Sequence, residues 1–194
     1  MIIGIDIDDT ISDTYEVMMN YAQEYTIDVL KREPILNESA DCSNHFYTKY
    51  MHNWKDDEDL DFLNLYYEKI LKEVRPRTLA IEYLRKLQEE GNKIILITAR
   101  WECDFFDVRK TTENWIKKNN IPCDKLIINA ENKLIAAKEE NVDVFIDDSF
   151  SNCEMVSNGG IKSYLMDSRV NKGLRNEKIE RIYSWPHLYM KLGE

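Results

Sequence analysis

The chain begins with a short apolar run, Ile2, Ile3 and Ile5, that stops abruptly at Asp6, Asp8 and Asp9. β-Branched residues at this density predict a buried strand. A buried strand that ends in carboxylates must deliver its charge to the edge of a sheet. In open parallel α/β sheets that carboxyl edge is where ligands bind. The pattern recurs along the chain. Residues 94–97 run into Thr98, Ala99 and Arg100, and residues 142–146 run into Asp147, Asp148 and Ser149. Two more apolar runs, 126–128 and 163–166, complete a set of five predicted strands.

Helical patterns separate these strands. Thr78 is placed to cap a helix carrying Ile81, Leu84 and Leu87, which stops at Gly91. Residues 104–119 read as a helix with Trp115 and Ile116 on its apolar side, and 133–140 as a shorter one. The tail ends in an amphipathic segment around 185–192. Strand–helix alternation of this kind predicts an α/β fold, a parallel sheet with helices on both faces.

Residues 14–74 break the rhythm, with no convincing strand. Tyr15, Val17, Met18, Tyr21, Ala22 and Tyr25 recur at helical spacing. A looser stretch carries His45, Phe46, Tyr47, Tyr50, His52 and Trp54. Asp56, Asp57, Glu58 and Asp59 then open a second helix, where negative charge is favourable. Its apolar face is Leu60, Leu63, Tyr67, Ile70, Leu71 and Val74. This acidic run lacks the central glycine and distal spacing of a calcium loop. The two histidines have no ligand pattern around them and read as surface or packing residues. The expected organisation is a core of residues 1–13 and 76–194, with 14–75 as a helical insert.

Charge narrows the partners. Acidic residues outnumber basic ones 36 to 26, a formal charge of −10, which argues against duplex nucleic acid or an anionic membrane as partner. A small anionic substrate stays compatible, because a metal or a lysine can reverse the field in one cleft. No leader sequence or membrane-length apolar run is visible. Cys42, Cys103, Cys123 and Cys153 are scattered and read as thiols of a cytoplasmic protein.

In a parallel sheet the loaded strand ends share one edge. Asp6, Asp8, Asp147 and Asp148 would then repel one another, by about 4 kcal/mol per pair at ~4 Å and an effective dielectric of ~20. A divalent cation removes that repulsion, and all-oxygen ligation favours Mg²⁺ over zinc. Lys133 adds positive charge and Thr98 a hydroxyl. A carboxylate nucleophile beside a cation, a lysine and phosphate-oxygen donors is equipment for phosphoryl transfer.

These residues, in this order, resemble the haloacid dehalogenase superfamily of aspartate-nucleophile phosphatases, and the insert resembles the small cap many members carry after strand 1. The resemblance implies Asp6 as nucleophile and Asp8 as general acid/base, with Asp8 lending its backbone carbonyl to the metal. It implies Thr98 and Ala99 at the phosphate, and Lys133 beside both nucleophile and phosphate. Asp6 and Asp148 are the implied direct metal ligands, with Asp147 orienting a water or Lys133. Lys133 is preferred to Lys138 because it begins its helix at the sheet edge. Arg100 either reaches the phosphate or forms a surface ion pair. Asp9 stands where many members have glycine.

Within the superfamily, the insert and residues 146–154 most resemble the 5'(3')-deoxyribonucleotidase family and its bacterial relatives. That implies a nucleoside monophosphate, in deoxy form, as substrate. Tyr15, Phe46, Tyr47, Tyr50 and Trp54 are either faces for stacking a base or the insert's own core. A sugar-phosphate phosphatase and a catalytically silent binding protein on the same scaffold stay open.

Overall fold

The computed structural model describes residues 1–37 and 47–193. The first isoleucine run is strand β1 (Ile2–Ile5). Helices α1 (Thr14–Asp28), α2 (Tyr47–His52) and α3 (Asp56–Glu73) follow it. Alternation then begins with α4 (Ala80–Glu89), β2 (Lys93–Ile97), α5 (Val108–Lys118) and β3 (Lys125–Ile127). It continues through α6 (Lys133–Glu139), β4 (Val144–Asp147), α7 (Phe150–Asn158) and β5 (Lys162–Met166). Strand β6 (Glu180–Ile182) and helix α8 (Trp185–Leu192) close the chain.

The six strands form one sheet in the order β3-β2-β1-β4-β5-β6, with every neighbouring pair parallel. β1 therefore sits in the interior, between β2 and β4. Side chains alternate across the sheet. Ile3, Ile5, Ile94, Leu96, Val144 and Ile146 face one cluster with Leu84, Trp115 and Leu188. Ile95, Ile97 and Phe145 face the other, against Ala136, Ala137 and Val156 of α6 and α7. Gly4 permits the close approach on its own side, since a Cβ there would lie 3.1 Å from the Ile97 and Val142 side chains.

α1 and α3 pack on each other and build a cluster of their own from Ala22, Tyr25, Trp54, Phe62, Tyr66 and Ile70. The entry and exit of this helical segment lie side by side. Asp13 N–H donates to the Arg75 carbonyl at 2.9 Å, and Arg77 N–H to the Ile11 carbonyl at 2.7 Å. Among the described residues no helix is long and apolar enough to cross a membrane, and Cys103, Cys123 and Cys153 are free thiols.

Several local expectations shift. The helix expected over 104–119 starts only at Val108, because the Asp107 carboxylate accepts the Lys110 N–H at 2.8 Å and caps it there. Residues 101–107 are therefore loop. Thr78 is not a cap; α4 starts at Ala80, after Leu79 turns the chain at φ 65°. β4 starts two residues late and takes in Asp147. β6 escapes sequence reading because it is a three-residue edge strand carrying Glu180 and Arg181.

Asp59 on α3 is buried, at 7% exposure. Burial first, then Asp56, pushes its carboxyl up to about 6, against the pull of Lys49. A raised folded value means the folded state holds the proton more tightly than the unfolded chain. Stability is therefore expected to fall as pH rises from about 4 to about 6 and to stay lower above that. Asp59→Asn should stabilise the protein by about 1–2 kcal/mol at pH 8 and far less at pH 4. Urea unfolding at the two pH values checks this.

Candidate active site

The Asp6 N–H donates to the Ile146 carbonyl at 2.9 Å. The β1–β4 ladder thus extends one residue past the strand and delivers Asp6 to the carboxyl edge of the sheet. Lys133 is the first residue of α6, whose start is fixed by the Asn132 side chain accepting the Ile135 N–H at 3.1 Å. Lys133 is 1% exposed. Its Nζ donates to Asp6 Oδ1 at 2.5 Å and to the Ile97 carbonyl at 2.5 Å, and lies 3.9 Å from Asp147 Oδ2. Burial works against its charge, but Asp6 and Asp147 outweigh burial and hold the ammonium above its usual range. Lys138 is exposed on the same helix.

Asp147 ends β4. Its Oδ1 accepts the Ser149 N–H at 2.7 Å, and its Oδ2 accepts from Asn152 Nδ2 at 3.0 Å. The Asp148 backbone carbonyl accepts from Asn171 Nδ2 at 2.7 Å. Asn152 and Asn171 are both buried, and sequence reading missed both. Asn152 falls within residues 146–154, but its partner is fixed only by α7, which Ser149 caps by accepting the Asn152 N–H at 3.4 Å.

Asp6, Asp147 and Asp148 each offer a carboxylate oxygen within 4.8 Å of the other two. Burial, then repulsion from Asp147 and Asp8, lifts Asp6 well above the usual carboxylate range despite Lys133. Burial, then Asp9, Asp147 and Asp6, does the same to Asp148. Buried oxygen donors held together against their own repulsion fit a hard divalent cation. The Asp8 carboxylate is not in this group.

Asp8 instead faces Arg100. Arg100 Nε and Nη2 each donate to an Asp8 carboxylate oxygen at 2.8 Å, and the Thr14 hydroxyl donates to Oδ1 at 2.7 Å. Burial alone would raise the Asp8 carboxyl, but Arg100 and Thr14 outweigh it and hold it below its usual value. The resemblance leaves the Asp8 side chain free for proton transfer; the structure ties it. Arg100 is 3% exposed, with Nη1 on the Thr112 hydroxyl at 3.3 Å and the guanidinium 5.4 Å from the Trp115 ring centre. A surface ion pair is therefore excluded. The guanidinium is engaged by Asp8 through Nε and Nη2 and by Thr112 through Nη1. A bidentate Arg–carboxylate pair between positions 92 residues apart leaves no local signal.

Thr98 is buried at the end of β2, and its Oγ1 accepts the Arg100 N–H at 3.2 Å. The hydroxyl hydrogen is thereby left to donate. Ala99 is half-buried between them. Asp9 sits at φ 56°, the left-handed conformation that glycine adopts freely and aspartate tolerates. Its Oδ1 accepts the Tyr15 N–H at 2.8 Å, which ties the start of α1 to the edge of the site. Burial first lifts the Asp9 carboxyl to about 7, with Asp8 adding and Arg77 opposing.

The aromatics divide. Trp54 is 4% exposed; it meets Tyr25 edge-on with ring centres 5.1 Å apart, and its Nε1 donates to the Thr26 hydroxyl at 3.2 Å. It belongs to the core of the helical segment and is not a stacking face. His52, also buried, stacks on it at 5.1 Å. Tyr50 is exposed and Tyr15 half-buried. His45, Phe46 and the Tyr47 side chain lie outside the described residues. Trp54→Ala is expected to destabilise the protein by about 3–5 kcal/mol, as large aromatic truncations in a core do. Urea unfolding should show that loss, and the substrate preference of the folded variant should be unchanged.

The family model described as 5' nucleotidase, deoxy (pyrimidine), cytosolic type C protein matches residues 1–192. A nucleotidase of Clostridium acetobutylicum is 29% identical over 195 residues, covering 96% of this chain and 91% of that protein. Among solved structures, a haloacid dehalogenase-like family hydrolase from Streptococcus pneumoniae superposes with a TM-score of 0.68 at 14% identity, covering 98% of this chain and 97% of the other. A haloacid dehalogenase family hydrolase from Deinococcus radiodurans R1, with bound phosphate and sodium, does so at 0.67 and 12% identity, covering 99% and 94%. At such identities the two structures establish the fold.

Proposed function

The chain belongs to the 5' nucleotidase, deoxy (pyrimidine), cytosolic type C family and is a phosphoric monoester hydrolase of the haloacid dehalogenase type, and we propose that it hydrolyses nucleoside monophosphates, in deoxy form, through an aspartyl-phosphate. The observation that carries the mechanism is the buried Asp6–Lys133 pair beside Asp147 and Asp148 at one sheet edge. The substrate class rests on the family and on the nucleotidase relative.

In this reading an Asp6 carboxylate oxygen attacks phosphorus, and the bond from phosphorus to the ester oxygen breaks. A proton from the Asp8 carboxyl goes to that leaving oxygen. Asp8 then takes a proton from water as the water oxygen attacks phosphorus, which frees inorganic phosphate and restores Asp6. Lys133 positions the Asp6 carboxylate and offsets its charge, and Thr98 donates its hydroxyl hydrogen to a phosphate oxygen, with the Ala99 backbone beside it. Asp8 must carry a proton to begin the cycle, while Arg100 holds it ionised. An arriving phosphate raises the proton affinity of Asp8 by like-charge repulsion, and Arg100 limits that rise.

Mg²⁺, when bound, supplies charge neutralisation for the carboxylates and the phosphate. Asp6 and Asp148 would hold it directly. Asp147, with both oxygens engaged by Ser149 and Asn152, suits an orienting role, and Asp8 would lend only its backbone carbonyl. The division into a core of 1–13 and 76–194 and a cap of 14–75 belongs to the same reading. It is supported by the side-by-side crossing at Asp13 and Arg77.

Phosphate release from a panel of nucleoside monophosphates and sugar phosphates tests the proposal. Release should stop with chelator and return with Mg²⁺. Asp148→Asn should raise the Mg²⁺ concentration required, and Glu139→Ala, exposed on α6, should not. Full activity in chelator rules out the metal assignment. A preference for sugar phosphates rules out the substrate.

A further inference from the structure

Of the four tryptophans, Trp54, Trp115 and Trp185 are buried, whereas Trp101 in the loop 101–107 is 40% exposed. It is nonetheless firmly placed. Its ring lies flat on Tyr67 of α3, with centres 4.6 Å apart and planes 13° from parallel. Phe106 meets Tyr67 edge-on at 5.5 Å. On the flanks of Trp101, the Glu102 N–H donates to Asn129 Oδ1 at 2.7 Å, and the Arg100 carbonyl accepts the Asn129 N–H at 3.0 Å.

Tyr67 is 4% exposed, and its hydroxyl lies close enough to Asp8 and Arg100 to feel both charges. Burial first, and then Asp8, pushes the phenol above its usual range. Trp101 lies three residues beyond Thr98 on the same sheet edge. One indole face is thus covered by Tyr67 while the ring stays 40% exposed. Glu102, Asp104 and Asp107 are exposed on the same loop and disfavour further negative charge there. A flat, uncharged group attached to a single phosphate fits both features.

We propose that Trp101, backed by Tyr67, is the platform on which the base of a nucleoside monophosphate stacks. The platform deepens the nucleotidase reading and rests on it. It assigns base recognition to a loop packed on α3, whereas the sequence offers the aromatics of the insert as stacking faces or as the insert's own core. Because the ring is already fixed, little side-chain freedom is lost when the base arrives.

The test measures kcat/KM of wild type, Trp101→Ala, Trp101→Phe and Phe105→Ala on deoxythymidine 5'-monophosphate and on deoxyribose 5-phosphate, the same ester without a base. Trp101→Ala should narrow the nucleotide-to-sugar-phosphate ratio by about 5- to 150-fold, the range expected for one stacked base. Trp101→Phe should keep most of the ratio. Phe105→Ala, an exposed aromatic of the same loop, should keep all of it. As the one exposed tryptophan, Trp101 also reports binding directly. In the Asp6→Asn protein the nucleotide should shield its fluorescence from acrylamide, and deoxyribose 5-phosphate should not. If wild type prefers the nucleotide but Trp101→Ala leaves the ratio unchanged and no shielding is seen, the platform is overturned and the nucleotidase reading stands. If wild type prefers deoxyribose 5-phosphate, both are overturned before any variant is made.

Discussion

Asp6→Asn is expected to abolish phosphate release and leave the fold intact. The amide has the shape of the carboxylate but no anionic oxygen to attack phosphorus. Loss of a covalent nucleophile typically lowers kcat by about 10⁴-fold or more. The fold should tolerate the change, because Asp6 is buried among like charges that already push its carboxyl well above the usual range. Removing its charge relieves repulsion from Asp147 and Asp8. Lys133 keeps Asp147 at 3.9 Å and the Ile97 carbonyl at 2.5 Å. Phosphate-release kinetics together with urea unfolding check both halves. Near-normal turnover in a folded Asp6→Asn protein would sink the covalent mechanism.

Lys133→Met should affect both stability and turnover, whereas Lys138→Ala should affect neither. Lys133 is a buried cation whose removal leaves Asp6 and Asp147 without compensation. Breaking a buried pair from one side destabilises by about 3–5 kcal/mol. The Met stem fills most of the vacated volume, so the effect reports charge more than a cavity. Turnover should fall by about 10²–10³-fold, as when one preorganised electrostatic contact is lost. Lys138 is exposed in the last turn of α6, and surface substitutions of that kind stay within about 0.5 kcal/mol. Urea unfolding and kcat/KM of the two variants, measured side by side, decide between the lysines. A large effect at Lys138 with none at Lys133 would reverse the assignment.

Backbone periodicity is local, and the parts of this protein that depend on it are legible in the sequence. Three isoleucines before three aspartates can only be a buried strand with a charged end, and β1 is one. The same holds for the ends of β2 and β4, so a parallel sheet carries Asp6, Thr98, Asp147 and Asp148 to one edge whatever the details of packing. Element starts are less legible, because capping competes with periodicity: Asp107 starts α5 four residues later than its apolar pattern suggests. β6 is too short and too charged to show a period at all.

What the sequence determined by itself is therefore five strands of a parallel sheet, its loaded edge and the identity of the residues along it. The tertiary structure alone decided what each of those residues touches. Arg100 and Asp8 are 92 positions apart, and only the packing of the β2 end against the β1 end makes them a bidentate pair. Asn152 and Asn171 acquire their roles through the placement of α7 and of the turn at Arg169–Asn171. Trp54 and Trp101 are both single tryptophans in polar surroundings along the chain. One is enclosed by Tyr25 and Phe62, and the other is left exposed on Tyr67. Burial of a side chain depends on which distant surface folds over it, a property that residue type and periodicity do not carry.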